Sequence, residues 1–148
     1  MFTFCTIILK NEVHSNTLTK ELSSQKRSRI IYENELDHLR NISRIYQTFS
    51  SFAKKKISQE TLLKVSVLVY KNSIQFGYDP LLLLAVIHVE SVFDPNAQGR
   101  YRSGELSGAF GLMQLKFETA QGVAKRLGLS IELDDLFKPE VNIVLGTA

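Results

Sequence analysis

Apolar residues recur at three- and four-residue steps through Leu39, Ile42, Ile45, Tyr46, Phe49 and Phe52. That is the spacing of one face of a helix, so the pattern predicts an amphipathic helix over about residues 30–52. The stripe needs a partner, and the domain that follows is the expected one, ahead of a membrane surface or a partner helix. Upstream, residues 10–28 are rich in Ser, Thr, Asn and Lys and show no period, which reads as a flexible lead-in. Downstream, Ser58 is placed to cap a second helix, Glu60 falls in its favourable first turn, and Leu62, Leu63, Val65, Val69 and Ile74 carry it to a stop near Gly77. Asp79 then caps a third helix that has Pro80 at its first position. From Leu81 to Val89 only His88 is not apolar, which predicts a helix buried all round.

A loop of small and polar residues, 94–107, leads to Gly108-Ala109-Phe110-Gly111-Leu112-Met113-Gln114. Phe117, Ala120, Ala124 and Leu127 mark a further helix with Gly128 as its closing residue, and a last one starts at Pro139. No alternating pattern is long enough to predict a strand, so the expected fold is all-α.

Composition sharpens this picture because it is uneven. All eight glycines and all three prolines lie after residue 76. Residues 1–60 hold ten Lys/Arg and six Asp/Glu, a net of +4, whereas residues 61–148 hold eight and nine, a net of −1. The domain organisation read from this is a basic lead-in and helix over 1–57 and a folded domain over 58–148. A basic segment beside a near-neutral domain argues for attraction to an anionic membrane or wall surface. Nucleic acid is not expected, because basic residues are not interleaved with aromatics on the folded part, and Lys54-Lys55-Lys56 reads as a solvated helix end. The single cysteine, Cys5, excludes an intrachain disulfide and a multi-cysteine metal site, and the three histidines have no ligand spacing. The apolar opening Met1 to Leu9 is too short to span a bilayer and makes a poor signal peptide.

Glu90 is the residue in the folded part that could do chemistry. It ends the apolar third helix, on a face with Leu83, Val86 and Ile87, where burial and the negative end of the helix dipole would both disfavour its charged form. A carboxyl group held protonated in that way is what a general acid needs. The plainer reading is a solvated glutamate or an ion pair with Arg100 or Arg102. Ser91 reads as a residue that supports Glu90 by hydrogen bonding, since no histidine is placed to activate it as a nucleophile. Gly108 and Gly111 would let a loop pass close to the carboxyl group while leaving a cleft, into which Gln114 would bring a neutral donor and acceptor.

Four segments taken together resemble the soluble lytic transglycosylase (SLT) family. They are Glu90-Ser91-x-Phe93-x-Pro95-x-Ala97, Gly108-Ala109-x-Gly111-Leu112-Met113-Gln114, Thr119-Ala120, and Pro139-Glu140-x-Asn142-Ile143-x-x-Gly146, in the family's order over roughly residues 58–148. The resemblance implies a helical, goose-type lysozyme-like fold. It implies cleavage of the β-1,4 bond between N-acetylmuramic acid and N-acetylglucosamine in peptidoglycan, leaving a 1,6-anhydromuramic end. Glu90 would protonate the glycosidic oxygen and then, as carboxylate, take the proton of the C6 hydroxyl as the ring closes. One carboxylate would thus serve twice, where the usual glycosidase needs a second acid across the bond. Asp94 reads as a loop or cap residue, and Glu105 is the remaining candidate for a second acid. No metal or organic cofactor is called for, the implied partner is the peptidoglycan glycan strand, and the implied location is the periplasm or cell envelope.

By the same resemblance Gln114, Met113, Gly111 and Ser91 are expected on the substrate side, together with a serine of the long loop, Ser103 or Ser107, with Ser103 preferred. The sequence departs from the family's pattern at Lys116 and Phe117, where a methionine and a proline are common, and it stops before the family's Tyr-Asn-x-Gly segment. Asn142 and Ile143 read as packing residues. The ending leads to the expectation of a fragment or a truncated protein and, with it, the alternative of an inactive peptidoglycan-binding module; a muramidase hydrolysing the same bond is a second alternative.

Overall fold

The computed structural model describes the backbone of residues 2–52 and 57–148 and the side chains of residues 16–52 and 57–148. The expectations placed on Cys5, on the apolar opening and on Lys54-Lys55-Lys56 lie outside the described side chains. The chain divides into two compact units, Met1–Arg40 and Asn41–Ala148.

The first unit lies within helix α1, Phe2–Phe52. Residues 10–28, expected to be a flexible lead-in, are helical. Their polarity removes packing partners, but no glycine or proline interrupts the backbone there. The side chains of residues 16–35 are all exposed, and two helix-surface pairs, Arg29 with Glu33 at 2.8 Å and Arg40 with Asp37 at 3.0 Å, add little stability in solvent. Among the described residues no helix is long and apolar enough to cross a membrane.

The second unit holds the core. Ile45 and Phe49, from the end of α1, are fully buried with residues of α2 (Gln59–Phe76) and α3 (Pro80–Ser91), and Ile42 and Tyr46 pack beside them. The predicted stripe therefore docks on the domain through its middle, while Leu39 and Phe52 at its ends stay exposed. Both helix starts follow the sequence reading: Ser58 accepts the Thr61 N–H at 3.1 Å, and Asp79 accepts the Leu81 N–H at 2.7 Å ahead of Pro80. Helix α3 is not buried all round. Leu83, Leu84 and Ile87 enter the core, but Leu82 is 53% exposed and Val89 78%. An apolar sequence does not by itself supply neighbours for every face.

Where a loop was expected, three short strands form an antiparallel sheet in the order β1 (Gln98–Arg100), β2 (Leu106–Phe110), β3 (Leu115–Lys116). Gln98 pairs with Phe110 and Arg100 with Leu106 across a bulge, and Ala109 pairs with Lys116. At two to five residues these strands are too short to show a period. Helix α4 (Phe117–Arg126), a 3-10 turn (Leu133–Phe137) and α5 (Pro139–Thr147) close the unit, with Ala120, Ala124, Leu136 and Leu145 forming a second small core. The fold is mainly helical, as the resemblance implies. An ion pair, Lys64 with Glu140 at 2.6 Å, joins α2 to α5 and holds the Glu140 carboxyl below the ordinary glutamate range, mainly through the hydrogen bond from Lys64.

Candidate functional site

Glu90 stands in the last turn of α3. The Val92 N–H closes that end on the His88 carbonyl at 3.0 Å, and Ser91, buried, donates its hydroxyl to the Ile87 carbonyl at 3.0 Å. Ser91 thus ties down the helix end beside Glu90, as expected. The burial expected for Glu90 is not observed: its side chain is exposed, because the face of α3 it shares with Val89 is open. Nor does it pair with Arg100 or Arg102; among the described residues it makes no ion pair or side-chain hydrogen bond.

The two residues after Ser91 carry positive φ, 52° at Val92 and 66° at Phe93. For a β-branched side chain this is a costly conformation, on the order of 1–3 kcal/mol, and it persists only where surroundings impose it. Phe93 supplies that constraint. Its ring is buried 4.2 Å from Phe49 and 5.2 Å from His88, so the chain must turn sharply to drive it into the core. His88, set between Phe52 and Phe93, has the packing role expected of it. Beyond the turn lies an open groove of about 600 Å³, lined by Ser58, Thr61, Ser91, Val92, Pro95 and Asn96 among others. Asp94 accepts the Asn96 N–H at 2.9 Å, which is the loop role foreseen for it.

The second part of the site is the turn at residues 111–114. Gly111 has φ 74°, and a Cβ there would strike the Leu136 carbonyl oxygen and the Asn142 amide, so both conformation and space require glycine. Asn142 explains the close approach. Fully buried, it accepts the Met113 N–H at 2.7 Å and donates to the Leu136 carbonyl at 2.8 Å and the Phe110 carbonyl at 3.0 Å. One side chain of α5 therefore ties the turn, the strand before it and the 3-10 turn together. Asn142, expected as a packing residue, is a hydrogen-bonding hub. The signal available in the sequence was a lone amide between Val141 and Ile143 on an apolar helix, since a buried amide must find partners.

Met113, expected on the substrate side, is buried, with its sulfur against Gly146 of α5. Its side chain serves the core, and only its backbone serves the turn. Gln114 is half-buried, with a positive φ of 47°. Its amide nitrogen donates to the Gly111 carbonyl at 2.9 Å and the Ala97 carbonyl at 3.2 Å. Both amide hydrogens are thus used within the protein, and Oε1 remains the atom with which Gln114 could meet a ligand.

That oxygen lies over the face of Gly99, and the Ser107 hydroxyl converges on the same spot. A side chain at position 99 would displace both. The structure therefore brings Gln114, Ser107 and Gly99 together, whereas Ser103, the serine preferred from sequence, is exposed at the far end of the β1–β2 hairpin. There its hydroxyl makes only a long contact, 3.4 Å, with Glu105. The hairpin explains the difference: residues 101–105 form its tip, and Ser107 lies in the returning strand. The two parts of the site share a floor, for Phe93, Leu112 and Met113 belong to one core. They are also laced together, since Ala97, seven residues beyond Glu90, accepts both the Gly111 N–H at 2.9 Å and the Gln114 amide.

Residues 68–148 match the family model for the Transglycosylase SLT domain. The matched span takes in all four sequence segments on which the resemblance rests.

Proposed function

Because the chain belongs to the transglycosylase SLT domain family, a family of glycosidase-like lyases acting on peptidoglycan strands, we propose that it cleaves the β-1,4 bond between N-acetylmuramic acid and N-acetylglucosamine with Glu90 as acid and then base. Residues 58–148 are the catalytic domain in this reading. The observation that carries it is the presence, in one folded unit, of an unengaged carboxylate at the end of α3 and of a rigid, hydrogen-bonded turn that presents Gln114 Oε1 and the Ser107 hydroxyl.

The chemistry follows from what each group can do. The Glu90 carboxyl gives its proton to the glycosidic oxygen as that bond breaks. The substrate's own N-acetyl group stabilises the cationic carbon, and the carboxylate then removes the C6 hydroxyl proton as that oxygen closes on the carbon. Because Glu90 is exposed in the free chain, the glycan itself must exclude water when it covers the carboxyl group. Gln114 Oε1, an acceptor only, suits a sugar hydroxyl or an N-acetyl N–H, and Ser107 can both donate and accept. Met113, Gly111 and Ser91 hold these groups in place. Asp94 is committed to its own loop and Glu105 stands at the hairpin tip, which favours a single-carboxylate mechanism over one using a second acid.

Digestion of purified sacculi followed by mass spectrometry of the released fragments tests the reading. Fragments ending in 1,6-anhydromuramic acid are expected. Reducing ends without anhydro products would assign a muramidase instead, and sacculus binding without released fragments would assign a binding module.

A further inference from the structure

The tip of the β1–β2 hairpin is a part of the molecule that the mechanism leaves unused. The Tyr101 N–H donates to the Glu105 carbonyl and the Gly104 N–H to the Tyr101 carbonyl, both at 2.9 Å, with Gly104 at φ 90°. Arg100 folds its guanidinium back onto the Gly104 carbonyl at 2.8 Å. This uses one of five donors and braces the turn, leaving four on an exposed side chain. Tyr101 is 55% exposed, and Arg102 is exposed with no side-chain partner among the described residues. Two guanidinium groups stand against one carboxylate, Glu105, so the tip is net positive.

The hairpin's root is the Gly99, Ser107 and Gln114 cluster already assigned to the glycan. Strand β1 carries the chain from Gln98, next to the Ala97 that holds Gln114, to Arg100, roughly 7 Å at strand spacing. The tip thus stands apart from that cluster along the arm. Where N-acetylmuramic acid carries its peptide stem, its lactyl carboxyl group is held as an amide, so the negative charge of such a strand sits on the carboxylates of the stems. A forked guanidinium matches a carboxylate in shape and charge, and an exposed tyrosine offers a flat, amphipathic surface beside it. We propose that Arg100, Tyr101 and Arg102 form a recognition site for the peptide-stem carboxylates of peptidoglycan. This rests on the proposed glycan-cleaving role and names the part of that substrate that the arm meets. The braced turn suits the task, since a preformed site loses less conformational entropy on binding.

The test is a titration of the full chain, followed by the backbone amide resonances, with a synthetic stem tripeptide bearing free carboxylates and with the same peptide amidated. Shifts confined to the tip, residues 100–105, are expected with the free acid. They should weaken about fivefold in affinity in Arg102→Gln and in raised salt, as for an exposed charge pair, and be lost on amidation. No response at the tip, or an equal response to the amidated peptide, would overturn the proposal. Turnover of sacculi, measured separately, keeps the two readings apart. Turnover without a tip response overturns the arm alone, and a tip response without turnover supports the arm while removing the enzymatic role.

Discussion

The end of α3 and the turn at 111–114 carry the two halves of the candidate site and are built in opposite ways. The turn is overdetermined: Asn142 accepts its Met113 N–H and binds the strand before it and the 3-10 turn as well, Gly111 admits no side chain, and both amide hydrogens of Gln114 are used. Glu90 stands in the open with no side-chain partner among the described residues, secured only through its neighbours Ser91 and Phe93. The contrast separates two demands. On the proposed reading, the group that loses and regains a proton is left free of a network, whereas the surface that positions a sugar is tied firmly. Strain marks both places, with positive φ at Val92 and Phe93 on one side and at Gln114 on the other.

The sharpest way to break the comparison is to dissolve the turn. Asn142→Ala strands the Met113 N–H and two carbonyls in the interior, and should cost about 3–5 kcal/mol in denaturant unfolding. A loss within 1 kcal/mol would mean that the turn does not depend on the amide. Gly111→Ala comes next, about 2–4 kcal/mol from the left-handed backbone and the collision with Leu136 and Asn142, read in the same experiment. A smaller change falls on the rim: Ser107→Ala should raise KM on glycan strands about fivefold, the value of one neutral hydrogen bond, and more than Ser103→Ala does. The reverse order would return the substrate contact to the hairpin tip. The smallest effect is that of pH on the α2–α5 pair. A carboxyl lowered by folding contributes stability that is complete above the ordinary glutamate value, about 4.3, and is lost as pH falls through its lower folded value. Glu140 behaves in this way, so thermal stability should decline slightly more steeply below about pH 4 in the parent chain than in Glu140→Gln.

Much of the helical frame was legible because caps and stops are local signals. Ser58, Asp79 with Pro80, and Gly77 each act within one turn of the helix they bound. The sheet was not legible, since its strands exist by pairing residues up to about a dozen positions apart and the longest has five residues. Burial misled at α3, where an apolar run predicted enclosure and Glu90 and Val89 are open. At the site, the order of motif residues found the 111–114 turn, but it could not tell which serine returns to that turn once a hairpin is inserted. Nor could it show that Met113 points inward, because both depend on long-range contacts with Gly99 and Gly146.

The central claim, that an open Glu90 does the chemistry while the turn holds the glycan, is tested most directly by assaying Glu90→Gln for sacculus binding and fragment release side by side. The account predicts binding equal to the parent and a loss of release of about 10²–10⁴-fold. Release at the parental rate would contradict it.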